Sequence, residues 1–342
     1  MRKWFKNTFA NFKENFNVKE LIIEVVIIAV VIAVCFYEFP YVIYKPGGAI
    51  KLDDRIYIND KLKEVGDYNM AYVSVAKANA LNILLSKIIK NWDMKPIEDI
   101  TINNTDYETT FELEKIDLKN SMDIATMMAF DKAGLNYEMK NRRNIIYAID
   151  EKAKTNLEVL DEILEIDGKK FEDVIKVKEY ISTLNVGDKV KLKVKDSSNK
   201  EKEKYAYIYE MKKTKLIGIV IYSLFDLETD PKIEIKSKAS EAGSSGGLMM
   251  SLAIYDALTK GDLTHGKKIV GTGTIDLNGT IGEIAGVKYK MIGAEKAGCD
   301  IFFISKDNYK EAKKIYKKYH LTFKLVKVDK FDDAIEYLDS LK

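Results

Sequence analysis

The apolar positions of the chain form one long run near the N-terminus and a series of short periodic runs after it. The long run, Leu21 to Tyr44, reads LIIEVVIIAVVIAVCFYEFPYVIY and is uncharged from Val25 to Tyr37. Beyond residue 45, strand-like runs such as Met70–Ala78 alternate with helix-like runs such as Ala80–Trp92. This alternation predicts an α/β (α+β) multi-domain protein, and a length of 342 residues fits two or three domains.

The long apolar run has the features of a membrane anchor. Residues 1–20 carry an excess of Lys and Arg over Glu, and aromatic residues stand at the far end of the run. We predict a basic cytoplasmic leader over 1–20, a single transmembrane anchor over 21–44 and a cell-membrane protein whose remaining chain is extracytoplasmic. A cleaved signal peptide and a buried core helix are the alternatives, because the uncharged stretch is shorter than the roughly 20 residues of a typical span.

The overall composition excludes several classes of function. Lys and Arg number 55 against 53 Asp and Glu, so no net basic field predicts a nucleic-acid partner. The two cysteines cannot form a disulfide framework, and the sequence has neither an HExxH motif nor a GxxxxGK[ST] phosphate loop. We therefore expect no metal, no cofactor and no ATPase activity in this chain.

The middle of the chain predicts a small domain of strands and short helices. Its pattern is a strand at 144–150, a helix at Leu157–Ile163, a strand ending in ILEIDG, a helix around Val174–Leu184 and a strand KVKLKV. This order resembles a PDZ domain, which we place at 134–213, after a juxtamembrane region at 45–133. Such domains bind an extended peptide as an added strand, but KNRRNI (Lys140–Ile145) stands where the family has its glycine-rich carboxylate-binding turn.

A serine pair between glycines opens the most informative stretch, Glu241–Leu258 (EAGSSGGLMMSLAIYDAL). Its apolar residues recur at helical spacing, so Ser245 is expected beside the N-terminal N–H groups of a buried helix. A developing oxyanion is stabilised at such a position. The alternative is a serine N-cap with glycines that allow close packing.

Further motifs follow this stretch in the order of a known family. GSSGGLMMSLAIY, then GTGTIDLNGTIGEIAGVKYKMIGAEKAG, then IFFIS resembles the proteolytic domain of Lon proteases, which we place at 214–342. With the anchor and the PDZ-like domain, the chain is similar to membrane-anchored Lon-like proteases of Gram-positive bacteria. The resemblance implies Ser245 as nucleophile, Lys290 as general base and Thr272 as a supporting hydroxyl, and it also implies a homo-oligomer.

Two lysines compete for the role of general base. On a helix, the neighbours of Lys290 are small or apolar, including Gly286, Gly293 and Ala294, whereas Lys288 shares its face with Glu295. Burial lowers the pKa of a lysine, so Lys290 is the preferred base. Ser244 remains an alternative nucleophile.

These features predict an ATP-independent serine endopeptidase that cleaves exported peptides, unfolded proteins or membrane-protein segments. Backbone N–H groups around Gly243 and Gly246 are expected to hold the oxyanion. A catalytically silent peptide-binding scaffold is one alternative, because positions 242, 244 and 246 depart from the family's common residues. A protein that cleaves only itself, with the same dyad, is another.

Overall fold

The computed structural model describes residues 18–62, 66–102, 105–259 and 261–341, so most of the predicted leader lies outside the described residues. The helices are α1 (Val18–Phe36), α2 (Ala80–Ile88), α3 (Tyr107–Ala133), α4 (Val174–Thr183), α5 (Gly247–Leu258), α6 (Val287–Lys296), α7 (Tyr309–Tyr319) and α8 (Phe331–Asp339). The strands are β1 (Phe39–Lys51), β2 (Ile56–Ile58), β3 (Lys61–Leu62), β4 (Tyr68–Ala78), β5 (Asp93–Pro96), β6 (Tyr137–Ile149), β7 (Glu162–Ile166), β8 (Lys189–Lys195), β9 (Glu201–Tyr207), β10 (Tyr209–Met211), β11 (Thr214–Leu216), β12 (Ile219–Thr229), β13 (Ile233–Ile235), β14 (Ile269–Thr272), β15 (Thr274–Ile275), β16 (Ile281–Gly282), β17 (Ile301–Ser305) and β18 (Lys324–Val328).

The chain divides into two compact units, and the smaller one contains residues up to 45 together with 74–99. In this unit β1 pairs antiparallel with β5, from Tyr41 opposite Pro96 to Tyr44 opposite Asp93. Helix α2 begins after Asn79, whose side chain accepts a hydrogen bond from the N–H of Asn82.

The predicted anchor at 21–44 includes more than a helix. Helix α1 ends at Phe36, and residues 39–44 already belong to β1. Pro40 disfavours helical backbone at Phe39, and the following Tyr, Val and Ile residues favour a strand. Among the described residues, no helix has the length and apolar character needed to cross a membrane.

The larger unit contains residues 46–73 and 100–342 and is built on a mainly parallel sheet. Its strands lie in the order β18-β17-β14-β4-β1, and β14 pairs parallel with both β17 and β4. Alternate residues of β17 face opposite sides of the sheet. Ile301 and Phe303 pack with α3, α5 and α8, whereas Phe302 and Ile304 pack with α6 and α7. Helices therefore cover both faces, as expected for a parallel sheet.

Residues 46–73 and 107–133 belong to the sheet and core of this larger unit, which differs from the sequence-based division. That division set 45–133 apart as a juxtamembrane region and began the proteolytic domain at 214. In the structure β4 pairs with β14, and α3 packs along α5. Because the middle domain is inserted between α3 and β13, one folded unit is split into distant stretches of sequence.

The inserted domain has its own sheet, ordered β12-β6-β7-β8-β9, and its own core around Ile146, Ile166 and Leu192. The helix predicted at 157–163 is wrong, because these residues form turns leading into β7 and Leu160 has a positive φ of 74°. The segment KNRRNI lies within β6, where Lys140 is opposite Asp226 and Arg143 is opposite Leu224 of β12.

Candidate active site

Ser245 lies in the loop that leads into α5, one residue before the N-cap Gly246. Gly243 has a φ of +92°, a conformation that favours glycine and turns the loop toward the helix. A Cβ at Gly247 would lie 2.8 Å from Ile275 Cγ2 and 3.0 Å from Ser121 Oγ. Gly247 therefore allows the start of α5 to pack tightly against β15 and α3.

Lys290 reaches Ser245 from α6, on the opposite face of the sheet. Its Nζ is 2.8 Å from Ser245 Oγ and 3.1 Å from Thr272 Oγ1. The lysine is only 4% exposed, and burial lowers its pKa to about 7. Among the described residues no carboxylate forms an ion pair with Lys290. No negative charge in this part of the chain therefore offsets the effect of burial on its pKa.

The start of α6 explains why Lys290 faces inward. Gly286 caps the helix with a φ of 76°, and a Cβ there would lie 2.6 Å from Val73 Cγ2. At Gly293 a Cβ would lie 2.9 Å from the backbone nitrogen of Gly48. Two close approaches by glycine thus press this face of α6 onto the sheet and exclude water from the lysine between them.

Lys288, the competing lysine, lies elsewhere on the helix. Its Nζ lies 4.6 Å from the centre of the Tyr289 ring, and the residue is partly exposed. The structure therefore brings Lys290 to the serine, as helix geometry predicts, and not Lys288.

Thr272, at the end of β14, connects the lysine to the serine backbone. Its hydroxyl donates to the carbonyl oxygen of Ser245 at 3.1 Å and accepts from Lys290 Nζ. The N–H of Gly273 donates to the same carbonyl at 2.9 Å. Ser245, Lys290 and Thr272 therefore form one hydrogen-bonded group around the buried end of the lysine.

The predicted oxyanion donors are only partly available. The N–H of Gly243 donates to the carbonyl of Glu114 at 2.8 Å, so in this conformation Gly243 does not offer it to a ligand. The N–H groups of Ser245 and Gly246 donate no hydrogen bond within the described part of the chain. These two amides lie beside the N-terminus of α5, where they can donate to an oxyanion.

Comparison with known families agrees with this geometry. Residues 200–339 match the Lon protease (S16) C-terminal proteolytic domain, and residues 132–204 match the PDZ domain. The chain carries a Lon-type proteolytic domain and a PDZ domain. The first of these is the proteolytic domain of a serine peptidase family.

The relatives that match are Lon proteases, and this chain covers only a small part of their length. The Lon protease of Campylobacter concisus is 31% identical over 125 residues, which are 36% of this chain and 15% of that protein. The Lon protease of Metamycoplasma arthritidis is 32% identical over 120 residues, 34% of this chain and 14% of that protein. A solved PDZ domain, from the SdrC-like protein of Listeria innocua, is 31% identical and covers 23% of this chain and 93% of that one, with a TM-score of 0.22.

Two residues outside the matched Lon-type region hold the serine loop, and sequence reasoning missed both. Arg55 forms a bidentate ion pair with Glu241, at 2.8 and 3.1 Å, where the loop begins. Ser121 of α3 donates its hydroxyl to the carbonyl of Ser244 at 2.9 Å. In the sequence, Ser121 could have been noticed as a small polar residue at helical spacing between Leu118 and Ala125, which are both buried.

Among the described residues, no group of three or more His, Cys, Asp or Glu side chains is arranged to hold a metal ion. The groups around Ser245 in the structure are the hydroxyl of Thr272, the amine of Lys290 and backbone N–H groups.

Proposed function

We propose that this protein is a serine endopeptidase that uses a Ser245–Lys290 dyad. The observation that carries the proposal is the 2.8 Å contact between Ser245 Oγ and a buried lysine whose pKa is about 7. A lysine with this pKa has a substantial neutral fraction at physiological pH, so it can accept the proton that a serine must lose to become a strong nucleophile.

In the proposed reaction, Ser245 Oγ attacks the scissile carbonyl while Lys290 Nζ takes its proton. The N–H groups of Ser245 and Gly246 stabilise the oxyanion that forms. Lys290 then returns the proton to the leaving amine, and the acyl-enzyme is released by a water molecule that Lys290 deprotonates. Thr272 keeps Lys290 Nζ directed at Ser245 through both steps.

We propose that the reaction is independent of ATP, because the sequence contains no phosphate loop to bind a nucleotide. Without nucleotide hydrolysis to unfold folded proteins, the suitable substrates are exported peptides, unfolded proteins and flexible membrane-protein segments. The PDZ domain supports this class of partner, since such domains bind extended peptides. A homo-oligomer is proposed from the resemblance to Lon proteases alone.

We also propose that the segment 21–44, which includes most of α1, anchors the protein in a membrane, with residues 1–20 cytoplasmic and the Lon-type domain extracytoplasmic. Large apolar side chains are exposed along the whole of α1, for example Ile22, Ile27 and Ile32 at 52–56%. A helix that is apolar on all sides is typical of an apolar environment. The full chain should remain with membranes after an alkaline carbonate wash, and a chain lacking residues 1–36 should not. Release of the full chain would contradict the anchor.

Cleavage of casein by the purified full chain in detergent, without ATP, tests the catalytic proposal. Ser245→Ala and Lys290→Ala should each lower the rate by at least about a thousandfold, because each removes one half of the dyad. Lys288→Ala is the matched control and should retain activity near that of the unchanged protein.

Activity that survives in Ser245→Ala would refute the proposed nucleophile. Loss of activity in Lys288→Ala but not in Lys290→Ala would move the general base to Lys288. An unchanged protein that cleaves neither casein nor unstructured peptides would favour a non-catalytic peptide-binding scaffold.

A further inference from the structure

We propose that Ser121 is a positioning residue that sets the orientation of the oxyanion-binding amides. The inference rests on the proposed peptidase function and adds to it a residue that lies outside the region matched to Lon proteases. Ser121 sits in the middle of α3, is 4% exposed and donates its hydroxyl to the carbonyl of Ser244 at 2.9 Å.

The geometry of the peptide bond connects this contact to the reaction. The Ser244–Ser245 peptide is planar and trans, so its carbonyl and its N–H point in opposite directions. Because Ser121 holds the carbonyl of Ser244 on the α3 side, the N–H of Ser245 points away from α3. A rotation of this peptide plane would remove the N–H of Ser245 from the oxyanion site and place a carbonyl oxygen there.

The next peptide is held in the same manner by different groups. The carbonyl of Ser245 accepts from the N–H of Gly273 at 2.9 Å and from the hydroxyl of Thr272 at 3.1 Å. The N–H of Gly246 therefore points away from β14. Two consecutive carbonyls are thus held by groups from different elements, α3 and the end of β14, and the two N–H groups make no hydrogen bond in the described part of the chain.

The hydrogen bond from Ser121 is the shorter of the two bonds to the Ser244 carbonyl. The other comes from the N–H of Gly247 at 3.3 Å, within the turn itself. The flanking glycines Gly243, Gly246 and Gly247 give the loop wide backbone freedom. The 3.3 Å hydrogen bond from Gly247 would therefore, by itself, hold the Ser244–Ser245 peptide plane only weakly. A serine inside a helix commonly bonds the carbonyl one turn back. Here its hydroxyl bonds the nucleophile loop instead, and the loop gains an external restraint.

Steady-state kinetics of the full chain on a chromogenic peptide tests the proposal, with Ser121→Ala and Ser121→Cys as the variants. The cysteine approximately keeps the side-chain volume but is a weak donor. Both variants should lower kcat by about 10- to 100-fold and leave KM within about twofold. This decrease is no larger than the decrease in kcat expected when one oxyanion donor is removed altogether. Affinity for a peptide boronate, which forms a tetrahedral adduct with the serine, should fall by the same factor as kcat.

Ser251→Ala is the matched control. Ser251 is also a fully buried serine, and its hydroxyl donates to the carbonyl of Gly247 at 2.9 Å within α5. It should change kcat by less than about threefold. The pH midpoint of kcat/KM should be the same in the Ser121 variants as in the unchanged protein, because Lys290 keeps its surroundings.

Unchanged kcat in Ser121→Ala, or full activity in Ser121→Cys, would overturn the positioning role. A shifted pH midpoint, or an equal loss of activity in Ser251→Ala, would assign the effect to general packing and would also overturn it. An inactive unchanged protein would instead refute the proposed function, so the two failures are distinguishable.

Discussion

Lys290 shows how packing alone can prepare a lysine as a base. The residue has no charged partner in the described part of the chain, and the cause of its lowered pKa is burial. Burial follows from glycines at positions 286 and 293, where the helix touches Val73 and the backbone of Gly47 and Gly48. Arginine at position 290 would not serve, because a guanidinium stays protonated in proteins.

The pH dependence of kcat/KM should report the protonation of Lys290. The base must be neutral, and a pKa of about 7 means that its neutral fraction rises as the pH increases through 7. We therefore expect kcat/KM to rise about tenfold per pH unit well below 7 and to level off above about pH 8. Lys288→Ala should show the same midpoint. A profile that is flat from about pH 5.5 to 7, or one that rises only above about pH 9, would contradict this assignment.

Among the elements, those around the serine and the lysine were predicted well from sequence. The helix after the serine pair and the alternating strands and helices beyond residue 300 are present in the structure. Helix α5 is buried over nearly its whole length, from Gly247 to Ile254, so its run of apolar residues stands out in the sequence. Ser245 and Lys290 are 45 residues apart in sequence, and only the family resemblance joined them before the structure did.

The elements that sequence reasoning misplaced depend on partners far away in the chain. Strand β4 completes a sheet with β14, about 200 residues later, and α3 supports a loop 123 residues beyond Ser121. The local sequence pattern does not indicate pairings between residues so far apart, so the sequence analysis treated 45–133 as a separate juxtamembrane region. Leu157–Ile163 has helical spacing but forms turns, in which the Asp161 carboxylate accepts from the N–H of Glu158 at 2.8 Å and binds Lys204. Such local polar bonds compete with a helix.

In the larger unit, the PDZ domain is inserted into the proteolytic fold through a two-stranded ribbon of β6 and β12. The ribbon contacts α3 close to the end where the body of the PDZ domain begins: Tyr147 donates to Asp117 at 2.9 Å, and Asn120 donates to the hydroxyl of Tyr222 at 2.6 Å. Ile149 and Ile219, two to three residues farther along the strands, are the last cross-strand partners at that end, and the N–H of Asp150 donates to the carbonyl of Gly218 at 2.8 Å. The body of the PDZ domain can therefore be removed between these points without cutting the contacts to α3.

Replacing residues 150–218 with an Asn-Gly turn should separate substrate capture from catalysis. Asn-Gly closes a two-residue hairpin and suits the paired ends of the ribbon. Hydrolysis of a short chromogenic peptide should stay within about threefold of the full chain, because Ser245, Lys290 and Ser121 keep their partners. Cleavage of casein should fall severalfold, since a peptide segment bound to the PDZ domain raises the local concentration of the rest of the substrate at the dyad. The same excision with Ser245→Ala controls for contaminating proteases. Unchanged casein cleavage would show that the PDZ domain does not select substrates, whereas loss of both activities would mean that the ribbon needs the PDZ domain to hold α3 and the serine loop in place.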